Sequence, residues 1–147
     1  MVMVILMALM GIALVTFPGA QQTSRDTRRK SDVRQFQTSI ESFANRNNGL
    51  YPNYGGGTGM GPLCTTLALA GACVDDPRSP TTVYRYISAG GSGAAGSATA
   101  TSFVIYATLE KPVAGAAQYW VTCSNGTIGR INVSSWTPSA TCPNLTN

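Results

Sequence analysis

From Met1 to Phe17 the chain reads MVMVILMALMGIALVTF, with no charge and with Thr16 as its only hydroxyl. As an α-helix, at about 1.5 Å per residue, this stretch spans about 26 Å, close to the hydrocarbon thickness of a bilayer. Such a surface has to be buried in lipid or in protein, so whatever follows it is carried on an apolar stem. No basic leader of the kind a secretory signal carries precedes the stretch, and the expectation is that it is retained.

Setting aside the stem and the polar residues just after it leaves roughly 100 residues, enough for one modest core. The expected organisation is a stem at residues 1–24 and a head at residues 25–147. Charged residues make up 11% of the chain and histidine is absent, while Gly, Ala, Ser and Thr are abundant, a composition that suits an exported or assembled protein. Four cysteines without a histidine or a C-x-x-C pair exclude a mixed-ligand zinc site and favour two disulfides outside the cytoplasm. Of the three pairings, the order of elements favours Cys64 with Cys73 and Cys123 with Cys142, because each closes a short local loop. Catalysis has little to work with. With no histidine and six acids, no nucleophile and base can be assembled, and the chain reads as non-enzymatic.

Along the chain, Gly11 and then Pro18-Gly19 interrupt the stem, and proline's missing donor predicts a kink or local unwinding there. From Ala20 the helical pattern resumes. Val33, Phe36, Gln37, Ile40, Phe43 and Ala44 fall at spacings of three and four, a narrow apolar stripe against which a head would pack, chiefly through Val33, Phe36, Ile40 and Phe43. Asn45, Asn47, Asn48 and Gly49 supply the stop, with Pro52 beyond. The helix would be about 70 Å long, too long for a head of this size to bury, so its first half must project.

Asn53 to Pro62 is glycine-rich and reads as a loop. In LCTTLALAGACV a short turn or helix would bring Leu63, Leu67 and Leu69 over the stripe. Four strand candidates follow: TTVYRYIS, TSFVIYATLE, QYWVTCS and TIGRINV. The low-complexity run Ala89 to Ala100 would connect the first two flexibly, and Asn125-Gly126 suits a tight hairpin turn between the last two. The tail from Trp136 onward would be a loop tied down by Cys142. The expected fold is α+β, the second half of the long helix packed against a mostly antiparallel sheet of about four strands.

In this order, the apolar stem, Pro18, the run RDTRRKSDVRQFQTSIESFANRNNGLYP, the pair Asp76-Pro77, the YRY strand and FVIYATLE resemble a type IV pilin or the similar major pseudopilin of type II secretion. The resemblance covers roughly the first 110 residues and is specific in combination rather than in any one piece. It implies a structural subunit that waits in the inner membrane, is inserted by assembly machinery into a helical filament of its own copies, and carries a methylated mature N-terminus. Val4, Leu6, Leu9, Gly11, Leu14 and Phe17 would lie in the filament core, and the strands would form the shell of an extracellular pilus serving adhesion, motility or DNA uptake. A secretion pseudopilus and a membrane-anchored monomeric binding module are the alternatives. Pilins carry an aromatic mature N-terminus followed by an acidic residue. Here the first acid is Asp26, so Met1 is expected to lie a few residues inside the mature protein.

Five bases and two acids fall between Arg25 and Arg34, most of the chain's net +4. Basic residues flanking a membrane segment normally stay cytoplasmic, but the paired cysteines favour an exported head. Three readings of Arg25, Asp26, Arg28, Arg29, Lys30 and Asp32 stay open: a solvated helix face with (i, i+3) and (i, i+4) pairs, salt bridges between subunits, and binding of nucleic acid as a surface ligand. Gly91 to Gly96 spells G-x-G-x-x-G, but a strand rather than a helix follows it, which argues against a nucleotide site. No cofactor is expected. Asp75 and Asp76 are weak calcium candidates, since the similar pseudopilins bind that ion in a loop near here, but two carboxylates fall short of a calcium shell. Asn125, Asn132 and Asn144 each begin an N-glycosylation acceptor pattern.

Overall fold

A computed structural model describes residues 2–69, 71 and 73–146, with side chains from residue 19 onward. The helix α1 runs from Val2 to Arg46. It passes through Gly11 and through Pro18-Gly19 without unwinding, so neither predicted interruption divides it. Proline removes one hydrogen bond from the ladder, and the turns on either side keep theirs. The candidates Val4, Leu6, Leu9, Gly11, Leu14 and Phe17 lie outside the described side chains. Among the described residues, no helix is long and apolar enough to cross a membrane. At its other end α1 stops where the sequence predicts. Asn48 and Gly49 turn to φ +55° and +78°, and the Gly49 N–H returns to Ala44 O at 2.8 Å.

The head is antiparallel throughout. Its strands are β1 (Tyr51–Pro52), β2 (Thr58–Gly59), β3 (Arg85–Ala89), β4 (Ala98–Ala100), β5 (Ser102–Val113), β6 (Ala116–Cys123) and β7 (Ile128–Asn132), with a short helix α2 (Met60–Thr66) after β2. They form a five-stranded sheet in the order β2-β3-β5-β6-β7 and a two-stranded pair β1-β4. The four expected strands are the contiguous run β3-β5-β6-β7, and three short strands add to that expectation.

Each extra strand is pinned from outside its own sequence, which carries no alternation to announce it. The glycine-rich loop 53–62 holds β2 and the start of α2. The run 89–100 ends in β4, held by pairing of Ala98 and Ala100 with Pro52 and Tyr51 and by Gly96 N–H to Asn53 O at 2.8 Å. The first expected strand starts only at Arg85, because residues 77–82 form turns after Asp76. At the β6–β7 connection only Gly126 takes positive φ, +81°. The Gly126 N–H closes on Cys123 O and the Thr127 N–H on Asn125 Oδ1. The turn is therefore wider than the two-residue hairpin that Asn125-Gly126 suggests.

The apolar stripe faces the sheet as predicted. Val33, Phe36 and Ile40 are buried with Leu63 and Leu67 of the α2 region and with Tyr84, Tyr86, Phe103, Ile105 and Ala107, while Phe43 and Leu69 pack at the margin. Each large side chain so buried stabilises the fold by about 1.5–3 kcal/mol. Alternation along β5 sends Val104 to the opposite face. There, with Val121 and Cys123, it lies beneath Trp136, Cys142 and Leu145 of the tail. Gly129 is required at that crossing, since a Cβ on it would meet Leu145 Cβ and Thr146 O at 2.8 Å. Both expected disulfides are present, Cys64–Cys73 and Cys123–Cys142.

Candidate functional site

The basic run Arg25 to Arg34 is not merely a solvated face. Helical spacing carries one side of it, Asp26, Arg29, Asp32 and Val33, into the joint with the head. Arg29 is fully buried there. Its Nε donates to Asp76 Oδ2 at 2.7 Å, Nη2 to Asp76 Oδ1 at 2.9 Å, and Nη1 to Asp26 Oδ1 at 2.8 Å. Nη2 also lies 2.8 Å from Glu110 Oε1. Three of the chain's six acids thus converge on one guanidinium.

Each carboxylate has further donors. Asp76 accepts from Thr82 Oγ1 and from the Arg78 N–H. Glu110 takes a bidentate pair from Arg25, at 2.9 and 2.6 Å, with Arg78 3.7 Å away. Asp26 reaches across to β5 and accepts the backbone N–H groups of Glu110 and Lys111, both at 2.9 Å. The β5–β6 register shifts between Leu109 and Val113, and the Asp26 carboxylate takes up these two donors at the irregularity. Beside the cluster, the Tyr84 hydroxyl donates to Asp32 Oδ2 at 2.7 Å, and Arg28 lies 3.7 Å from the same carboxylate.

Three arginines balance three carboxylates (Asp26, Asp76, Glu110), with Arg29 fully buried and Arg25 and Arg78 reaching in from the solvent-exposed edge, so the buried charges remain ionised. Hydrogen bonding to Asp76 raises the Arg29 pKa against the opposing effect of burial. Burial pushes Asp76 up, but the bonds from Arg29, Thr82 and the Arg78 N–H outweigh it and hold the group below its ordinary value. Glu110 is also held low, first by Arg25 and then by Arg29. Burial, reinforced by Asp32, pushes the Tyr84 hydroxyl well up. These groups keep fixed protonation states near neutrality. The cluster is built to hold two elements together.

The remaining candidates are placed as follows. Lys30 lies 4.8 Å over the ring of Trp120, and Arg28 is largely exposed. Asp76 faces Arg29 and Asp75 is exposed, so this pair does not converge on a shared cation position. Among the described residues, no group of three or more His, Cys, Asp or Glu is arranged to hold a metal. Asn125, Asn132 and Asn144 are exposed, and Asn132 Oδ1 accepts from Gln118 Nε2.

Sequence reasoning missed Arg78, Thr82 and Tyr84, which carry no local signal, and also Glu110, which does carry one. Its signal was its position, as a lone acid ending the strongest strand in a chain with few acids. No protein-family model matches the chain, and no curated protein or solved structure is significantly similar to it.

Proposed function

We propose that the chain is a structural subunit of a type IV pilus-like filament, polymerising through its N-terminal helix, and that it is not an enzyme. The observation that carries this reading is the division of α1. From Arg25 onward the helix is clamped to the head by ion pairs and the apolar stripe, while Val2 to Ser24 extends the same helix by about 35 Å. In sequence that extension is the uncharged stem. Lipid would hold it before assembly and neighbouring stems afterwards. Both are equally apolar, so the transfer costs little hydrophobic free energy and close packing decides.

A rigid joint suits a polymer. A subunit that transmits force needs its head in one fixed orientation on its stem, and the Arg29 cluster ties the two together. The head would then form the outer shell at the cell surface, in a pilus or in the pseudopilus of a secretion system. Paired cysteines fit that exposed location. A membrane-anchored monomer is the competing reading. Negative-stain electron microscopy of material sheared from cells expressing the full chain tests it: filaments that disappear when the chain is deleted are expected, and dispersed particles alone would sink the proposal.

A further inference from the structure

The hairpin joining β5 to β6 is the part of the sheet that reaches farthest toward the stem. β5 runs antiparallel to α1. At one end Tyr51 packs edge-on against Phe103 at 4.7 Å and donates to Glu41, and at the other Glu110 and Lys111 donate to Asp26. The strand from Phe103 to Glu110 and the helix from Asp26 to Glu41 each cover about 23 Å, so the two run side by side. Val113 then lies about 10 Å past Glu110, near the level of Gly19, just beyond the apolar run that ends at Phe17. Consistent with this, Thr23 lines a crevice together with Pro112 and Val113.

The hairpin tip from Pro112 to Ala117 carries no charge, and it turns through Ala114 and Gly115 at φ +51° and +77°. Val113 is 44% exposed, a large apolar side chain open to solvent. Behind the tip, the crevice is lined by Lys30, Lys111 and Arg130 with Thr23 and Thr27, whose hydroxyls donate to helix carbonyls one turn back. Asp26 lines it too, but its oxygens are taken by Arg29 and by the Glu110 and Lys111 N–H groups. Among the described residues, Lys30, Lys111 and Arg130 make no ion pair. An exposed apolar turn backed by cations that lack a carboxylate partner, Lys30 resting on the Trp120 ring, at the height where an apolar helix ends, matches the interfacial layer of an anionic bilayer.

We propose that this hairpin is a foot resting on the bilayer from which the stem emerges. Val113 and Ala114 enter the interfacial layer, and Lys30, Lys111 and Arg130 hold the phosphates of anionic lipids. The inference rests on the membrane-resident stage of the filament reading. A second copy of the chain is the poorer occupant, because its carboxylates are largely committed within its own fold. Asp26, Asp76 and Glu110 surround Arg29, Asp32 accepts from Tyr84, and Glu41 from Tyr51, which leaves exposed Asp75.

The test uses the full chain, reconstituted into bilayers of phosphatidylcholine with or without phosphatidylglycerol. An environment-sensitive fluorophore is placed through Val113→Cys or, as a control distant in the sheet, Asn125→Cys, under non-reducing conditions. With phosphatidylglycerol the label at 113 is expected to shift to the blue and to be quenched several-fold more by headgroup-labelled lipid than the label at 125. High salt or the triple change Lys30→Gln, Lys111→Gln, Arg130→Gln should reverse this. A label at 113 as water-exposed as the one at 125, in chain that has inserted, overturns the foot and leaves the filament reading standing. Shielding of 113 only after filaments form overturns it in favour of a neighbouring copy. Failure of the chain to co-float with vesicles overturns the membrane stage itself, and the foot with it.

Discussion

Arg29 on the long helix and Asp76 in the loop before β3 meet through two parallel hydrogen bonds, Nε to Oδ2 at 2.7 Å and Nη2 to Oδ1 at 2.9 Å, with no solvent reaching the guanidinium. Removing one partner of a buried pair leaves the other charge uncompensated and typically costs about 3–5 kcal/mol. Arg29→Met should lower the stability of the detergent-solubilised chain by about that amount. Arg29→Lys should recover only part of it, since an ammonium cannot reproduce the fork that serves Asp76, Asp26 and Glu110 together. Urea midpoints would show this, and an Arg29→Met variant within about 0.5 kcal/mol of the parent would mean the cluster is not holding the joint.

The same cluster sets the acid limit of the fold. Asp76 and Glu110 have native pKa values below their ordinary ones, so the unfolded state binds protons more readily than the native state as pH falls. Their contribution is complete above the unfolded carboxyl values, about pH 4 to 5, and is lost as pH drops through the lower native values. Thermal melts should be level from about pH 7 to 5 and fall steeply below about pH 4. Glu110→Gln should flatten that fall. An acid limb unchanged in this variant would place the responsible carboxylates elsewhere.

At the alkaline end the sign reverses. Burial raises the Tyr84 and Tyr86 pKa values, so these hydroxyls stay protonated in the fold at pH values where an unfolded tyrosine ionises. Their contribution is present below about pH 10 and is lost as pH rises through the native values. Tyr84→Phe forfeits the bond to Asp32 at neutral pH but should soften the decline above about pH 10. Melting temperatures measured across that range would show the two curves converging. Parallel curves would contradict the assignment.

The helix stripe, both disulfides and the central strands were legible because each rests on a local signal: spacing of three and four, short closed loops, and alternation of β-branched and aromatic residues. The strands β1, β2 and β4 were not legible. Tyr51, Thr58 and Ala98 pair only because distant backbone arrives beside them, and no residue in the Ala89 to Ala100 run advertises it. The joint failed to show for a different reason. Asp26 and Arg29 looked like surface charges with an (i, i+3) partner, and nothing nearby in sequence reveals that Asp76 and Glu110 fold onto them. Burial of a charge depends on partners brought from afar, so its chemistry becomes readable only once the topology is known.

Phe36 tests the stripe directly. Its ring is 3% exposed and lies edge-on to Tyr84 at a centroid distance of 5.9 Å. Phe36→Asp deletes that packing and places an unpartnered carboxylate in the core, each a change worth several kcal/mol. The head should detach from the second half of α1, seen as protease sensitivity between Ser39 and Asn53 and as lost assembly. Phe36→Leu, with much of the volume kept, should assemble with reduced melting temperature. Equal behaviour of the Asp variant and the parent would mean that the head is held by the Arg29 joint alone.

The two disulfides should separate by what they restrain. Closing loops of the sizes set by Cys64–Cys73 and Cys123–Cys142, with sequence separations of 9 and 19, gives about 2.7 and about 3.3 kcal/mol in the chain-entropy model, too close to distinguish by melting alone. Their surroundings differ more. Cys142 anchors the tail whose Trp136 stands edge-on to Tyr106 and Tyr119 at 5.5 and 5.9 Å. Cys123→Ser with Cys142→Ser should therefore expose Trp136, shifting its emission to the red and opening the tail to proteolysis while the rest of the head stays folded. Cys64→Ser with Cys73→Ser should leave that emission unchanged and loosen the α2 region packed on Val33, Phe36 and Ile40. A red shift of equal size in both variants would show that the tail is restrained by global folding rather than by its own bridge.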